Sequence, residues 1–562
     1  MQSRFSRYSP PRLTSKFRAL EKRAITDPKL EFRPCHFVPD PQLLYLYQRR
    51  QVALMLLRSR HILGDSMGLG KTAATVVAYA YMKNKKPNLK AVVLTEKMAL
   101  RQWEEEIKRF TANISSRVIT TQTHTNIPSR KAALLRRECD VLITTYSLMY
   151  KYAEEVVPEG EWVFILDEPT CFKSEKSLIY EAVNSVTNPR GPMKKYITHV
   201  REVPVPSSSE KVLMKVSEFV PFRNKEKAPP SRVYGLTASI VENNLDEAYN
   251  IAKVIVPHCV PRRHSDFKWA YIVYHKDGNY RKAVGYKNID VFRKKLASGY
   301  FGRLVTDPEV RQEIPEVETH NVQVELTDLQ CKFLDAPQFI DELRSTSYEG
   351  ILPELLYEQQ ICDHLGTLTT HQDSPKEQAL LDLLKGPLAG NRLVVFSKLR
   401  RVVDLFEKTL KREGIPVSRI TGKESDRQRE SAKEWFMKDS GPPTRVLMGT
   451  SAICRAVNLQ AGSAIVMIDL PWSGGIYRQL VGRIRRTGSK HPRVHVYRLV
   501  AVRPPNFSGA VGHTIDDHAI SVIERKLKLW EDFSDEHAIN ASVSTGTVKE
   551  IYEQRARYRE AA

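Results

Sequence analysis

Cysteine is scarce in this sequence, and its seven cysteines are scattered without a single C-x-x-C pair. This pattern argues against a structural zinc site built on cysteine and against a disulfide framework, and it favours free thiols in a reducing compartment. No run of about 18 apolar residues occurs, so the sequence predicts no transmembrane helix. The N-terminal stretch also lacks the apolar segment of a secretory signal.

Acidic residues are outnumbered: 65 Asp and Glu stand against 87 Lys and Arg, a formal net charge of +22. An excess of this size favours a polyanionic partner, nucleic acid first and an anionic membrane surface second. Residues 1–39 read as a basic, poorly ordered arm, with no acid before Glu21. Mitochondrial transit peptides share that composition, but Pro10-Pro11 interrupts an amphipathic helix, which favours an arm that contacts phosphates. We expect a cytoplasmic, nucleoid or nuclear location, with mitochondrial targeting and virion association left open.

Short apolar runs alternate with helix-like segments along most of the chain. Each run is bounded by polar or Gly positions, which is typical of buried parallel strands in α/β units. The runs form two clusters: AVVLT at Ala91, DVLITTY at Asp140, WVFILDE at Trp162 and RVYGLTAS at Arg232, then RLVVFS at Arg392, RVLMGT at Arg445, AIVMIDL at Ala464 and RVHVYRLV at Arg493. The simplest architecture is a pair of tandem α/β domains with parallel sheets.

The predicted domain boundaries follow these clusters. After the arm, we expect a first domain over residues 40–255, with a Pro/Ser/Lys-rich insertion at about 188–231 that forms a loop with local hairpin structure. An inter-domain helical region over 256–372 leads to a second domain over 373–505. A C-terminal helical extension is expected over 506–562.

The stretch HILGDSMGLGKT nearly spells the phosphate-binding template G-x-x-x-x-G-K-[ST], with Asp65 at the position of the first glycine. An apolar lead precedes the Gly-rich turn and a helical pattern follows it. Gly68 and Gly70 would let backbone N–H groups approach phosphate oxygens at a helix N-terminus. Lys71 would reach the terminal phosphates and Thr72 would ligate Mg²⁺. A simple helix-capping turn is the alternative.

An acidic pair ends the apolar run VFILDEP. The end of a buried strand is where Mg²⁺ and an attacking water are held in phosphoryl transfer. Asp167 would therefore orient Mg²⁺, and Glu168 would position and polarise the water. Taken alone, a solvated Asp-Glu pair at the start of a loop is the alternative.

The segment QLVGRIRRTG contains two arginines, Arg483 and Arg486, whose spacing of three lets one helical face present both. Arginines brought to a γ-phosphate stabilise the charge of the transition state. The alternative is a basic helix face that contacts solvent or a nucleic-acid backbone, a role that suits Arg485.

Together these motifs resemble those of superfamily-two helicase-type motors, and within that group the Swi/Snf-type DNA translocases. That family writes its phosphate loop D-E-M-G-L-G-K-T, where this chain has DSMGLGKT. LYQRRQVALML resembles the adenine-reading Gln motif, and VVLTEKMALRQWEEEIKRF and LITTYSLM resemble the next two motifs. YGLTASIVENNLDEAYNI, RITGKESDRQRESAKEWF, GTSAICRAVNLQAG and the register from Trp472 to Gly488 complete a series that covers nearly all of residues 40–530. The inter-domain segment is similar to that of the compact fork-remodelling, strand-annealing branch.

The resemblance implies two RecA-like domains with helical Swi/Snf-type insertions between them. It also implies a DNA-dependent ATPase that uses ATP and Mg²⁺ at a site to which both domains contribute. Gln48 would contact adenine, Thr72 and Asp167 would hold the metal, and the other nucleotide contacts would be Asp65, Gly68, Gly70 and Lys71. Coupling of hydrolysis to movement would involve Thr237, Ser239 and Gln479. Candidate DNA contacts are Lys97, Thr145, Tyr146, Ser397, Lys398, Thr450, Asn458 and Trp472, the last weighed evenly against a core aromatic.

Several positions depart from the family pattern. Thr170 stands where the family has a His that helps to couple ATP state to domain closure, and Ser66 stands where it has Glu. Further departures are Ala238-Ser239-Ile240, Cys454-Arg455 and Ser489. None of them removes the residues expected to carry catalysis, which are Lys71, Asp167, Glu168, Arg483 and Arg486.

The expected activity is ATP-dependent translocation on double-stranded or branched DNA by a monomeric motor, with no membrane partner. Such a motor would remodel protein–DNA complexes or DNA junctions, and a polymerase or another DNA-bound protein is an open partner. Two rival interpretations stay open. One is a superfamily-two ATPase that acts on RNA, and the other is a scaffold that binds DNA or polymerase and holds ATP as a structural ligand.

Overall fold

A computed structural model of the chain divides into two compact units, residues 1–241 with 245–304 and residues 242–244 with 305–562. Both units are α/β, and each is built on its own parallel sheet. The structure describes residues 15–121, 126, 129–130, 134, 138–188, 192–204, 211–222, 227–238, 240–241, 245–277, 280–305, 307–311, 313–335, 351–372, 374–454, 458–504 and 514–534.

The first unit contains a seven-stranded sheet and two antiparallel hairpins. Its strands are β1 Arg60–Leu63, β2 Lys90–Thr95, β3 Ser116–Val118, β4 Val141–Thr145, β5 Trp162–Asp167, β6 Lys194–Pro204, β7 Lys211–Pro221, β8 Arg232–Leu236, β9 Ile272–Asp277, β10 Tyr280–Tyr286 and β11 Tyr300–Phe301. The sheet has the order β11-β1-β8-β5-β2-β4-β3, and all its pairs are parallel. The central strands are almost fully buried, as expected for a parallel sheet covered on both faces.

Helices of this unit connect the strands or precede them. The α-helices are Ser15–Thr26, Leu46–Leu57, Lys71–Lys85, Leu100–Phe110, Tyr146–Lys151, Ala153–Val156, Leu178–Thr187, Leu245–Ile255, His264–Tyr271 and Ile289–Leu296. Short 3₁₀ helices occupy Pro41–Leu43, Lys97–Ala99, Thr170–Lys173 and Pro257–Cys259. Among the described residues, no helix combines the length and the apolar character that crossing a bilayer requires.

The second unit contains a six-stranded parallel sheet, with strands β12 Glu316–Glu325, β13 Arg392–Phe396, β14 Val417–Ile420, β15 Arg445–Gly449, β16 Ala464–Met467 and β17 Arg493–Val502. The order of these strands in the sheet is β12-β17-β16-β13-β15-β14. Its helices are Pro308–Arg311, Asp328–Asp335, Ile351–Asp363, Pro375–Lys385, Arg400–Arg412, Asp426–Met437, Gly474–Ile484 and Ile515–Ser534, with a 3₁₀ turn at Leu365–Thr367. The main core packs leucines of Pro375–Lys385 and Val402, Val403 and Phe406 against the central strands.

The predicted fold class, two α/β domains with parallel sheets, is confirmed. Each of the eight apolar runs coincides with a strand of the first or the second sheet. The predicted insertion contains the β6–β7 hairpin, which is paired from Lys194 to Pro221. The domain boundaries themselves stay a prediction.

Two parts of the chain differ from the interpretation of their sequence. The region expected to be helical, 256–372, contains helices but also supplies β9–β11 to the first unit and β12 to the second. The described part of the N-terminal arm contains the helix Ser15–Thr26, and Glu21 Oε1 lies 2.6 Å from Nε of Arg58 in an ion pair with little exposure. Residues 15–26 are therefore folded against the first unit, and residues 1–14 lie outside the described part of the chain.

Candidate functional site

Strand order brings the phosphate-loop sequence and the acidic pair to the same edge of the first sheet. β8 lies between β1 and β5, and Leu236 is in register with both Leu63 and Asp167. Because parallel strands end at the same edge, the segments that follow these three residues lie side by side. The backbone N–H of Thr237 donates to the carbonyl of Leu63 at 3.1 Å, which ties the first of the predicted coupling residues to the strand that enters the loop.

The loop after β1 turns through two glycines with left-handed backbone, Gly68 at φ 83° and Gly70 at φ 72°. Gly70 directly precedes the helix Lys71–Lys85, and a Cβ there would lie 2.3 Å from Nε2 of Gln48. That amide donates to the carbonyl of Leu69 at 2.9 Å. The Gln motif therefore supports the loop directly, and contact between Gln48 and adenine stays a prediction.

Lys71 and Thr72 occupy the first two positions of the helix Lys71–Lys85. Backbone N–H groups at a helix N-terminus are oriented to bind anions. The Lys71 ammonium donates to the loop carbonyls of Asp65 and Ser66, at 2.9 and 3.4 Å. It therefore lies over the loop itself. Ser66 Oγ is buried and has no hydrogen-bond partner among the described residues, as expected of a loop built around a polar ligand.

Asp65 anchors the loop from inside the unit. Its Oδ1 accepts from Nε2 of Gln51 at 2.7 Å and from the backbone N–H of Arg303 at 3.0 Å. Burial raises the pKa of this carboxyl to about 6, although the neighbouring Arg303 and Gln51 favour its ionised form. We interpret Asp65 as a positioning residue for the loop, because its side chain is engaged with the protein interior.

The acidic pair lies at the end of β5, where hydrogen bonds hold both residues in place. Asp167 Oδ2 accepts from the hydroxyl of Thr95 and from the indole Nε1 of Trp103, both at 2.8 Å. Glu168 has a left-handed backbone with φ 45°, and its N–H donates to Leu236 on β8 at 2.8 Å. A non-glycine residue in this region is strained, and such strain clusters at functional sites. The structure thus places the two carboxylates at the sheet edge where the sequence predicted them.

The chemical groups of the loop and the carboxylates together suit a nucleoside triphosphate with its divalent cation. A helix N-terminus, a lysine and an unpartnered hydroxyl suit phosphate oxygens, and the oxygens of Thr72 and Asp167 are of the type that Mg²⁺ prefers. These assignments follow from the chemistry of the donors, and each residue's contact with the ligand stays a prediction.

The Trp103 indole offers a test of how Asp167 is oriented. Trp103→Phe replaces the indole by a smaller aromatic ring without an N–H and so removes the hydrogen bond to Oδ2. Asp167 is predicted to hold Mg²⁺, and outer partners of metal ligands are worth about 10- to 100-fold in metal affinity, so we expect the Mg²⁺ concentration for half-maximal ATPase activity to rise by about that factor. The matched control is Trp162→Phe, since the Trp162 indole donates to the carbonyl of Ala228 and to no carboxylate. An equal Mg²⁺ requirement in both variants would show that Trp103 acts only in packing.

The second unit carries the two predicted arginines near the end of the helix Gly474–Ile484. Arg483 is buried, and its Nε donates to the carbonyl of Cys454 at 2.9 Å. Arg486 donates from Nε to Gly482 at 2.9 Å and from NH1 to the amide oxygen of Asn458. Gln479, the third predicted coupling residue, lies on the same helix and is half-buried. The role of these residues in hydrolysis stays a prediction.

The predicted nucleic-acid contacts of the first unit differ in exposure. Lys97 is exposed on the 3₁₀ turn Lys97–Ala99, and Thr145 caps the helix Tyr146–Lys151 through its hydroxyl. Tyr146 is buried, and its hydroxyl donates to the carbonyl of Asp167 at 2.8 Å. Tyr146 thus supports the acidic pair. Ser239 and the side chain of Thr170 lie outside the described part of the chain.

The predicted nucleic-acid contacts of the second unit also differ in how exposed their side chains are. Ser397 is fully buried and donates to Asp469, and the Lys398 ammonium donates to Oε1 of Gln359 and the carbonyl of Leu470 at 2.8 and 3.0 Å. That ammonium also lies 4.5 Å from the ring centroid of half-buried Trp472. Thr450 is only half-buried, next to the end of β15. These positions favour structural roles for Ser397 and Lys398, and their DNA contacts stay a prediction.

Sequence reasoning did not assign roles to several residues that shape the site. Trp103 and Thr95 lie within the family-like segment VVLTEKMALRQWEEEIKRF, but neither was assigned a role of its own. Arg303 was missed because it reaches Asp65 from 238 positions away. Gln51 had one usable signal, since it follows Gln48 by three residues and so shares a helix face with it.

A phosphate-type loop and an acidic pair on one α/β unit, with paired arginines on a second, define the class of helicase-type ATPases. Two family models match the chain in that order: the SNF2-related domain over residues 47–190 and the Helicase conserved C-terminal domain over residues 375–488. The predicted resemblance to the Swi/Snf-type superfamily-two ATPases is therefore confirmed over these two segments. The predicted enzyme class, a DNA-dependent ATPase, is confirmed at the level of this family.

Curated relatives share this core at low identity. An uncharacterized ATP-dependent helicase of Mycoplasma pneumoniae is 22% identical over 464 residues, which cover 78% of this chain and 38% of the relative. The human SWI/SNF-related matrix-associated actin-dependent regulator of chromatin subfamily A member 1 is 22% identical over 491 residues, 83% of this chain and 41% of the relative. The chain thus spans about two fifths of the length of these relatives. The SWI2/SNF2 ATPase core of Sulfolobus solfataricus in complex with dsDNA is 18% identical, with a TM-score of 0.39 and coverage of 94% of this chain and 98% of that one.

Proposed function

We propose that this chain is an ATP-dependent translocase on double-stranded DNA, which uses hydrolysis to remodel protein–DNA complexes or DNA junctions. The observation that carries the proposal is the position of two segments at one edge of the first sheet. The Lys71 loop follows β1 and the Asp167–Glu168 pair ends β5, and these two strands flank β8, which Thr237 follows. That arrangement serves phosphoryl transfer to water, since it supplies phosphate donors, a metal ligand and a water-polarising carboxylate at one edge. Membership of a family of DNA-acting motors supports the choice of polymer.

Each site residue has a defined task in this proposal. The loop from Gly68 to Gly70 and Lys71 bind the phosphates, and Thr72 and Asp167 hold Mg²⁺, which neutralises charge on the phosphate oxygens. Glu168 orients the attacking water and polarises its O–H bond. Arg483 and Arg486 stabilise the charge that develops in the transition state. Thr237 and Gln479 are proposed to relay the nucleotide state to the DNA-binding surface.

The choice of double-stranded DNA is supported by charge and by relatives. A net charge of +22 suits a phosphate backbone. The names of relatives include an ATP-dependent DNA helicase of Arabidopsis thaliana. Exposed Lys97 and the less buried Thr145, Thr450 and Asn458 are the residues we propose to contact phosphates. Contacts to the backbone alone give binding that depends on salt and is independent of sequence.

The test is steady-state ATP hydrolysis with a panel of polymers. We expect duplex DNA to raise kcat well above the rate without nucleic acid, and RNA of equal length to have little effect. Raising the salt concentration should weaken the stimulation steeply, because counterion release drives backbone binding. Lys71→Ala serves as the background control for contaminating ATPases. Stimulation by RNA alone would favour the RNA-acting alternative, and binding of DNA without hydrolysis would favour the scaffold.

Movement needs a second assay, because hydrolysis alone does not report it. A triplex-forming strand on the duplex should be displaced in the presence of ATP and retained without it. Displacement by the wild-type chain at a rate no greater than that of Lys71→Ala would contradict translocation. Action in the nucleus or nucleoid, and association with a polymerase, are extensions of the proposal that this assay does not address.

A further inference from the structure

The outermost strand of the second sheet, β12, and its neighbour β17 carry a cluster of imidazole and carboxylate groups that has no part in the nucleotide chemistry proposed above. β12 is the end strand in the sheet order and pairs with β17 in parallel register. That register sets Glu318 opposite His495 and His320 opposite Tyr497. Because side chains two positions apart on a strand share a face, Glu318 and His320 lie on the same side of β12.

The three side chains converge on one point. Nε2 of His320 lies 3.2 Å from Nδ1 of His495. The Glu318 carboxylate places Oε1 3.8 Å from His320 Nε2 and Oε2 3.7 Å from His495 Nδ1. The ring of Tyr497 stacks on His320 with centroids 4.7 Å apart, which restricts the rotation of that imidazole.

These separations match those of ligands around a tetrahedral metal. Zinc–nitrogen and zinc–oxygen bonds of about 2.0–2.2 Å place neighbouring ligand atoms about 3.3–3.5 Å apart. The observed 3.2, 3.7 and 3.8 Å therefore need only small side-chain adjustments to accommodate an ion. Two imidazoles and one carboxylate are also a ligand set that zinc uses in proteins.

We propose that Glu318, His320 and His495 bind a Zn²⁺ ion on the surface of the second unit. The side chains of His320 and His495 are each 33% exposed and that of Glu318 is 45% exposed, so an ion can reach them directly from solvent. Three protein ligands leave one tetrahedral position for water. The ion joins the end strand β12 to its sheet neighbour β17, so its effect is to hold β12 in place.

Neighbouring charges are compatible with the ion. Arg493 lies 3.3 Å from Oε2 of Glu318, but it also lies 3.5 Å from Oε2 of Glu316. The other carboxylate oxygen of Glu316, Oε1, lies 3.2 Å from Arg311. When Glu318 turns to the metal, Arg493 retains Glu316 as its partner. A hydrogen bond between the two imidazoles is the arrangement that the ion replaces.

The experiment is zinc titration of the full chain in the absence of nucleotide and nucleic acid, so that its outcome is independent of the proposed ATPase. Calorimetry on the wild-type chain should show one tight equivalent of Zn²⁺, and thermal unfolding should shift upward with added Zn²⁺. His320→Gln and His495→Gln should each weaken binding at least about tenfold, since even outer partners of a ligand are worth that much. His371→Gln is the matched control, because His371 is exposed and lies outside the cluster.

A second measurement needs no variant. Co²⁺ added to the wild-type chain should give the visible ligand-field bands of a tetrahedral ion with nitrogen and oxygen ligands, and Zn²⁺ should abolish them. Absence of these bands, or zinc binding that is equally tight in the wild-type chain and both cluster variants, would overturn the site. Loss of the tight equivalent in the His371→Gln control alone would assign the ion elsewhere and overturn it as well.

Discussion

Glu168→Gln is expected to lower the kcat of DNA-stimulated ATP hydrolysis by about 10²- to 10⁴-fold, the usual contribution of a positioned general base. The structure holds Glu168 at the end of β5 in a left-handed conformation, with its N–H bonded to Leu236. The glutamine amide retains the size of the side chain but cannot accept a proton from water. Binding of ATP should therefore persist, because the phosphate-binding groups are unchanged.

Two control variants separate a loss of catalysis from a general effect of the substitution and from a loss of ATP binding. Glu105→Gln makes the same chemical change on an exposed side chain of the helix Leu100–Phe110 and should leave kcat unchanged. Lys71→Ala should instead weaken ATP binding, measured by equilibrium titration with a fluorescent nucleotide. If Glu168→Gln retained wild-type hydrolysis, or if it lost ATP binding as Lys71→Ala does, the assignment of Glu168 to the attacking water would be wrong.

Much of the nucleotide site could be predicted because its parts are written in short, contiguous segments. The Gly-Leu-Gly-Lys-Thr turn follows a strand and opens a helix, and the Asp-Glu pair ends another strand. Parallel strands then bring such ends to a common edge without any further information about side chains. What the sequence could not supply was the insertion of β8 between β1 and β5, which sets Thr237 between the two segments.

The remaining features depend on contacts between distant residues or on weak local patterns. The indole of Trp103 reaches Asp167 from a helix 64 positions earlier, and nothing in the local sequence marks that contact. β12 was missed because it is an end strand with alternating exposure, EVETHNVQVE, and therefore lacks the apolar run that identified the buried strands. The helical interpretation of 256–372 was therefore incomplete, since this region supplies β12 and also β9–β11.

The ammonium of Lys398 has partners within the protein, which favours a structural role over a contact with DNA. Its motif favoured a contact with the DNA backbone, yet its ammonium donates to Gln359, whose amide bonds both Asp363 and Asp516 at 2.9 Å. Those two carboxylates also bind the ammonium of Lys376, at 2.9 and 2.7 Å. The result is a buried polar network that joins the helix Ile515–Ser534 to Ile351–Asp363 and Pro375–Lys385.

Lys376→Met is expected to destabilise the second unit by about 3–5 kcal/mol, the usual cost of removing one partner from a buried ion pair. Burial opposes the charge on Lys376, but Asp363 and Asp516 outweigh it and hold its pKa above the ordinary value. The same ammonium holds the pKa of Asp516 below its usual range against burial. Methionine would leave that carboxylate and the carbonyl of Ile468 without their shared donor. Urea unfolding followed by circular dichroism measures the loss.

Lys385→Met on the same helix provides the matched control for this change. Lys385 pairs with Glu413 at 2.8 Å on the surface, where its side chain is 60% exposed, so its removal should have a much smaller effect. A second comparison tests the charge assignment within the network. Burial raises the pKa of Asp363 well above its usual range, whereas Lys376 holds that of Asp516 below it, so the charge on Asp363 is the less stabilised of the two and Asp363→Asn should destabilise less than Asp516→Asn. Equal losses for Lys376→Met and Lys385→Met, or a larger loss at Asp363 than at Asp516, would contradict a network organised around the buried ammonium of Lys376.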